Sequence, residues 1–342
     1  LLYTGDGATR SVTGVGFQPD LIWFKNRETT DPHLLYDVLR GFDSGWGEAL
    51  HVNNGDAQVD YSNALSSFDS DGFSVGSYSA VNNSSDKMAS WSWKAGGAGV
   101  SNGTGTITST VSANTTAGFS IVTYTGNDTS GATVGHGLSS APEMVILKPY
   151  TGSYDWNVYS KPVGNTKYLY LNETTAETTD SGRWNDSTPS ASVVTIGDDG
   201  AVNSSSESYV MYCFHAVDGF SKIGSYIGNE LKDGTFIYLG FKPAFVIFKN
   251  IEVTTASGQP TDWLLYDNKR APSLTGPPNT NANTENFWAN LNSSEASAQG
   301  HKIDLVSNGF KIRGNEGSTN ETNDEYVYIA FAQTPFKYAT AR

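Results

Sequence analysis

Residues able to do chemistry are few in this 342-residue chain, and they are dispersed. Five histidines, His33, His51, His136, His215 and His301, are scattered along it, and none recurs at an equivalent position beside a carboxylate. A metal site or a catalytic triad needs several such groups converging on one point. No GxSxG, HExxH or phosphate-binding loop is present. Gly5-Asp6-Gly7 and Gly14-Val15-Gly16 lack the following helix that a dinucleotide site requires. The carboxylate pairs Asp69/Asp71 and Asp198/Asp199 could serve a glycosidase or, as weak candidates at Asp69 and Asp71, a calcium ion. Both pairs lie in glycine-rich turns, where acids more often cap the backbone. Asp69-Ser70-Asp71-Gly72 also stops short of an EF-hand loop. The expectation is therefore no catalytic residue, no metal and no cofactor. Trp46, Trp184 and Trp288 lie in or beside loops and are the candidates for ligand or interface contact, since an indole can stack on a sugar face or anchor a partner. The competing expectation is that each ring folds back over its own domain.

Composition narrows the field further. Charged residues make up 16%, below the usual quarter, and Gly, Ser, Thr and Asn fill the gap. These are residues of turns and of polar sheet faces. The net charge of −14 would repel a phosphate backbone, and no Lys/Arg cluster offsets it, so nucleic acid is not an expected partner. Cys213 is the single cysteine, which rules out an intrachain disulfide. No apolar run approaches the roughly 18 residues of a membrane span, so no membrane insertion is expected.

The elements that would position these residues recur three times in the same order. Pro19-Asp-Leu-Ile-Trp-Phe-Lys25, Pro142-Glu-Met-Val-Ile-Leu-Lys148 and Pro243-Ala-Phe-Val-Ile-Phe-Lys249 share one spacing. Each reads as a strand buried on both faces and entered through Pro, with the Lys marking where it reaches water. His33-Leu-Leu-Tyr36-Asp37, Trp156-Asn-Val-Tyr159-Ser160 and Trp263-Leu-Leu-Tyr266-Asp267 follow, and then Val52-Asn53, Leu171-Asn172 and Leu291-Asn292. Asp71-Gly72-Phe73 and Asn308-Gly309-Phe310 supply a positive-φ turn that the middle copy lacks.

The last landmark aligns without gaps over 86–94, 207–215 and 324–332. Period-two reading puts Trp91 and Trp93, Tyr212 and Phe214, and Ile329 and Phe331 on a core face. Cys213 falls in register with Ser92 and Ala330, a place for a small inert side chain. Aromatic strands open the second and third copies at Gly118-Phe119 and Gly219-Phe220, and Leu1-Leu2-Tyr3 reads as the tail of the same strand in the first, its upstream half missing. The expected fold is all-β: three tandem β-sandwich or jelly-roll-like units, stacked, spanning 1–97, 98–218 (linker plus repeat) and 219–342.

Gly14-Val-Gly-Phe-Gln-Pro-Asp-Leu-Ile-Trp-Phe-Lys-Asn-Arg27, Ser67-Phe-Asp-Ser-Asp-Gly-Phe-Ser-Val-Gly76 and Ser90-Trp-Ser-Trp-Lys94 together resemble a repeated domain of virion structural proteins of marine tailed phages. The stretch 106–126 is similar to the same family, while the third copy diverges in its connectors, with a longer loop from Ile251 to Thr261. The resemblance implies a non-enzymatic protein on the virion surface, extracellular, in a tail fibre or tail tip with an adhesive or spacer role, or in capsid decoration. It implies other virion proteins and further copies as partners, a homotrimer among the possible assemblies, and a host-surface glycan or protein as receptor. A secreted carbohydrate-binding lectin is the reading from another class.

Overall fold

A computed structural model describes residues 1–252, 261–270, 285–297 and 301–334 of the chain. The fold is all-β, built of antiparallel ladders with, among the described residues, four helices of a single turn. The strands fall into three sets in chain order, each with a large and a small sheet. In the first set, Leu2–Thr4, Lys87–Trp93, Leu21–Asn26, Leu34–Asp37 and Trp46–His51 lie side by side in that order, and Arg10–Thr13, Gly72–Val75 and Leu65–Asp69 form the small sheet. The third set repeats this with Ser221–Ile227, Glu325–Ala332, Pro243–Asn250, Leu264–Asp267 and Glu285–Trp288, over Phe236–Tyr238, Gly309–Ile312 and Ile303–Val306.

The middle set is the variant one. Its large sheet runs Phe119–Thr125, Ser208–Phe214, Met144–Pro149, Asn157–Ser160 and Lys167–Tyr170, flanked on one edge by Ser109–Asn114 and Val100–Asn102. Its small sheet keeps only Ala132–Gly135 and Val193–Ile196. The helix Ser181–Trp184 stands where the first repeat has the approach to its third strand, and Gly197 N–H donates to the Arg183 carbonyl as Gly76 N–H does to that of Ala64. Lacking the Asp-Gly or Asn-Gly turn of the other two, this copy does not form their tight hairpin.

Alternation along each large sheet decides what its two faces bury. Ile22 and Phe24, Val145 and Leu147, and Val246 and Phe248 pack inward, each pair in a core confined to its own repeat. The alternate residues, Leu21 and Trp23, Met144, and Phe245 and Ile247, enter a fourth core to which all three repeats contribute. The face holding Trp91, Tyr212, Phe214, Ile329 and Phe331, with Trp93 packed against it, belongs to this common core. It is not the interior of each sandwich, as period-two reading alone suggested. The opposite face, which looked more polar, is the sandwich interior, with Ser90 and Cys213 fully buried there. Burial pushes the Cys213 thiol up to about 12, as suits a side chain that only packs.

The repeats therefore close around a shared axis of side chains and are not stacked end to end. The common core leaves a space of about 50 Å³ lined by Trp23, Met144, Phe214, Phe245 and Phe331 among others.

Ladder register refines two landmarks. The residue equivalent to Asn53 and Asn172 is Asn290, not Asn292, because their side chains accept from the backbone N–H of His33, Trp156 and Trp263 respectively. Ser221, not Phe220, sits on the rung of Phe119, since these two pair with Phe331 and Phe214. In the first repeat Leu2–Thr4 pairs with Lys87–Ala89 alone, the rungs that Thr123–Thr125 and Ser225–Ile227 fill in the other copies.

Candidate functional site

What recurs most closely in this molecule lies where one repeat meets the next. Lys25, Lys148 and Lys249, expected to surface into water, are fully buried. Each strand ends against the neighbouring repeat, so its Lys meets backbone carbonyls in place of solvent. Lys148 Nζ donates to the carbonyl of Gly55 in the first repeat at 3.1 Å, and also to those of Pro149 and Gly152. Lys249 Nζ reaches the Glu173 carbonyl of the second repeat at 3.3 Å and that of Thr261. Lys25 Nζ completes the cycle on the Asn292 carbonyl of the third repeat at 3.1 Å, with Thr29 and Asp31. Burial holds Lys148 and Lys249 down to about 7 and Lys25 to about 8, with nearby carboxylates opposing the shift.

Three further contacts follow the same cyclic order. Gln58 N–H donates to the Tyr150 carbonyl, Glu177 to Ile251 and Glu295 to Arg27, at 2.9, 3.0 and 2.8 Å. Trp156 Nε1 donates to the His51 carbonyl and Trp263 Nε1 to the Tyr170 carbonyl, at 2.8 and 2.7 Å. His33 occupies the third such position. Its Nδ1 accepts from Trp23 Nε1 at 2.9 Å, so Nε2 carries the proton. The Trp288 carbonyl acts on the ring, but the shorter imidazole forms no hydrogen bond of full geometry and Nε2 is left without one. Burial, then the charges of Lys25 and Arg270, hold this imidazole well below its ordinary pKa, so it stays neutral.

The fourth contact differs from junction to junction. Tyr212 Oη donates to Asp37 Oδ2 of the first repeat at 2.7 Å, and Trp91 Nε1 donates to Asp267 Oδ2 of the third at 3.2 Å. Arg40 and Arg270, with fully buried side chains, pair with these carboxylates at 2.6 and 2.5 Å. In the middle repeat the equivalents of Asp and Arg are Ser160 and Val163, and the position matching Tyr212 and Trp91 is Ile329. The polar set is absent there as a whole.

The sequence candidates do not meet at one place. Trp184 is buried in the core of the second repeat and edges onto Tyr159 at 6.0 Å, so its ring faces no ligand. Trp46 and Trp288 are half-buried, and Trp288 packs on the third core and against His301. Asp69 accepts from Ser67 and Ser74 hydroxyls and Asp71 from the Gly14 and Gly16 amides, which commits both to turns. Among the described residues no group of three His, Cys, Asp or Glu is placed to hold a metal. Of the divergent Ile251 to Thr261 loop, residues 253–260 lie outside the described residues.

One constellation went unread in the sequence. Asn82, Asn203 and Asn320 end one-turn helices and are fully buried. Each side chain accepts from a loop amide, of Asp6, Asn127 and Asn229, and donates back to nearby carbonyls. Gly5, Gly126 and Gly228 precede those amides, and a Cβ on any of them would lie within 2.0 to 2.2 Å of a backbone carbonyl oxygen. The signal was available: Ala-Val-Asn recurs at 80–82 and 201–203, each Asn five residues before the last strand.

One family model, a domain of unknown function (DUF7483), matches residues 1–335. The chain belongs to this family. A single DUF7483 match thus spans all three repeats and every inter-repeat contact described above. No curated protein and no solved structure gives a match.

Proposed function

We propose that the chain is a non-enzymatic structural protein displayed on the surface of a phage particle, in a tail fibre or tail-tip appendage with an adhesive role. The observation that carries this reading is the closed ring of three repeats about one common core. Heterologous contacts that close give cyclic symmetry, and here one polypeptide supplies all three units. Such a chain would suit a threefold axis, as in a trimeric fibre or at a pseudo-threefold site on a capsid. The motif resemblance to virion repeats supports the particle as its place. The acidic charge supports a surface that stays soluble and resists non-specific adhesion. A spacer role has less support, because closing into a ring gives up the reach that end-to-end stacking would provide.

The test is direct. Immunogold labelling of intact particles with an antibody to the chain is expected to decorate the tail or its appendages. Decoration of the head shell would move the reading to capsid decoration, and absence of label together with absence of the chain from purified particles would end it.

A further inference from the structure

A polar cavity of about 500 Å³ opens beside the junction of the first and second repeats, near Lys148. That volume lies within the ~300–1,000 Å³ of small-molecule sites. Its walls include Asp56 from the first repeat and Tyr154, Asp155, Tyr170, Arg183 and Asp199 from the second. The walls are braced from behind: Asn54 Nδ2 donates to Asp56 and Asn172 Nδ2 to Asp155, each at 2.7 Å, while Asp199 caps Ala201 N–H at 2.7 Å. Arg183, with 9% of its side chain exposed, pairs with Asp199, lies 4.8 Å from the Tyr168 ring and reaches Tyr170 Oη at 3.4 Å. Its Nε has no hydrogen-bond partner. Tyr154, 39% exposed, offers a ring on the cavity wall.

These features select a class of ligand. The carboxylates do not converge as metal ligands among the described residues, so one molecule reaching several of them needs several separate hydrogen-bond donors, as the hydroxyls of a sugar provide. Three acids against one guanidinium disfavour an anion. An exposed aromatic face beside acceptors suits the apolar face and hydroxyl rim of a sugar ring.

We propose that this cavity binds a neutral pyranose unit of a glycan, with Tyr154 as stacking platform and Asp56 and Asp155 as hydroxyl acceptors. The proposal rests on the adhesive reading above and gives it a receptor chemistry. The test uses the full chain with the methyl glycosides of glucose, galactose and mannose, and with glucuronic acid as the charged probe, followed by saturation-transfer NMR and calorimetry. At least one neutral glycoside is expected to bind at millimolar concentration and glucuronic acid more weakly. Tyr154→Ala is expected to weaken binding by about tenfold or more, and the solvent-facing Asp56→Asn to weaken it without disturbing the fold. Phe236→Ala, at an exposed aromatic on the third repeat, should leave binding unchanged. Silence from all three neutral glycosides, tighter binding of glucuronic acid, or full binding by both Tyr154→Ala and Asp56→Asn would overturn the assignment. Silence with the chain still on particles removes this site alone, whereas sugar binding by a chain absent from particles removes the virion reading and leaves a lectin.

Discussion

Two kinds of junction coexist in one ring. Where the second repeat meets the first, and the first meets the third, a buried carboxylate is held by an arginine of its own repeat and by a hydroxyl or indole N–H from its neighbour. At the remaining junction, Ser160, Val163 and Ile329 take the same three positions. Nothing intermediate occurs: either the whole polar set is present or all of it is replaced. A buried charge pair is close to neutral against a well-packed apolar substitute but costly when only one partner is lost. In this ring the three positions differ as a set, and the fold accommodates both solutions.

The largest effect should come from breaking the polar set. Asp37→Ala leaves Arg40 Nε and Tyr212 Oη without their acceptor and the guanidinium without its counter-charge, and a loss of about 3–5 kcal/mol in urea unfolding is expected; a loss below that of Tyr212→Phe would refute the contrast. Forcing charge into the apolar junction is the converse. Ser160→Asp should cost about 3 kcal/mol or more, since no arginine faces it, and adding Val163→Arg with Ile329→Tyr should recover most of the loss.

The lysines at all three junctions give a pH signature. Their pKa is lower folded, about 7 to 8, than the ordinary 10.5. The unfolded chain thus binds more protons between those values, and stability rises with pH there by at most about 1.4 kcal/mol per pH unit per lysine. It is lost as pH falls through the folded-state values. Unfolding midpoints should climb from pH 7 to 9, and Lys148→Met should flatten part of the climb; a flat or falling profile over that range would count against neutral lysines at the junctions. The smallest effects distinguish the junctions by single groups. Tyr212→Phe should cost about 1 kcal/mol, while Ser160→Ala, whose hydroxyl has no partner, should change stability by less than about 0.5 kcal/mol or raise it.

Much of this was legible in the sequence, and the parts that were not have specific causes. Pro19 to Lys25 and its two counterparts read correctly as strands because Pro, β-branched and aromatic residues act locally. The direction of their faces was not readable: Tyr209-Val-Met-Tyr-Cys-Phe214 is apolar on both sides, and both sides are buried. Lys25, Lys148 and Lys249 read as surface residues because lysine is rarely buried without a partner, and their partners are carbonyls of a distant segment that no local pattern records. Trp184 could be read as a loop indole facing a ligand or as one folded back over its own domain, and its one-turn helix decides for the second. The cavity beside Tyr154 joins residues about a hundred positions apart, so no motif could announce it.

The sequence by itself determined the strands, their repeated order and the threefold count, since alternation, turn chemistry and spacing are properties of neighbouring residues. Tertiary structure alone decided that the repeats share a core, that the ring closes, and that three lysines and a histidine lie inside it. Those outcomes depend on surfaces more than a hundred residues apart finding one another, and the free energy of that packing is written in no single stretch of chain.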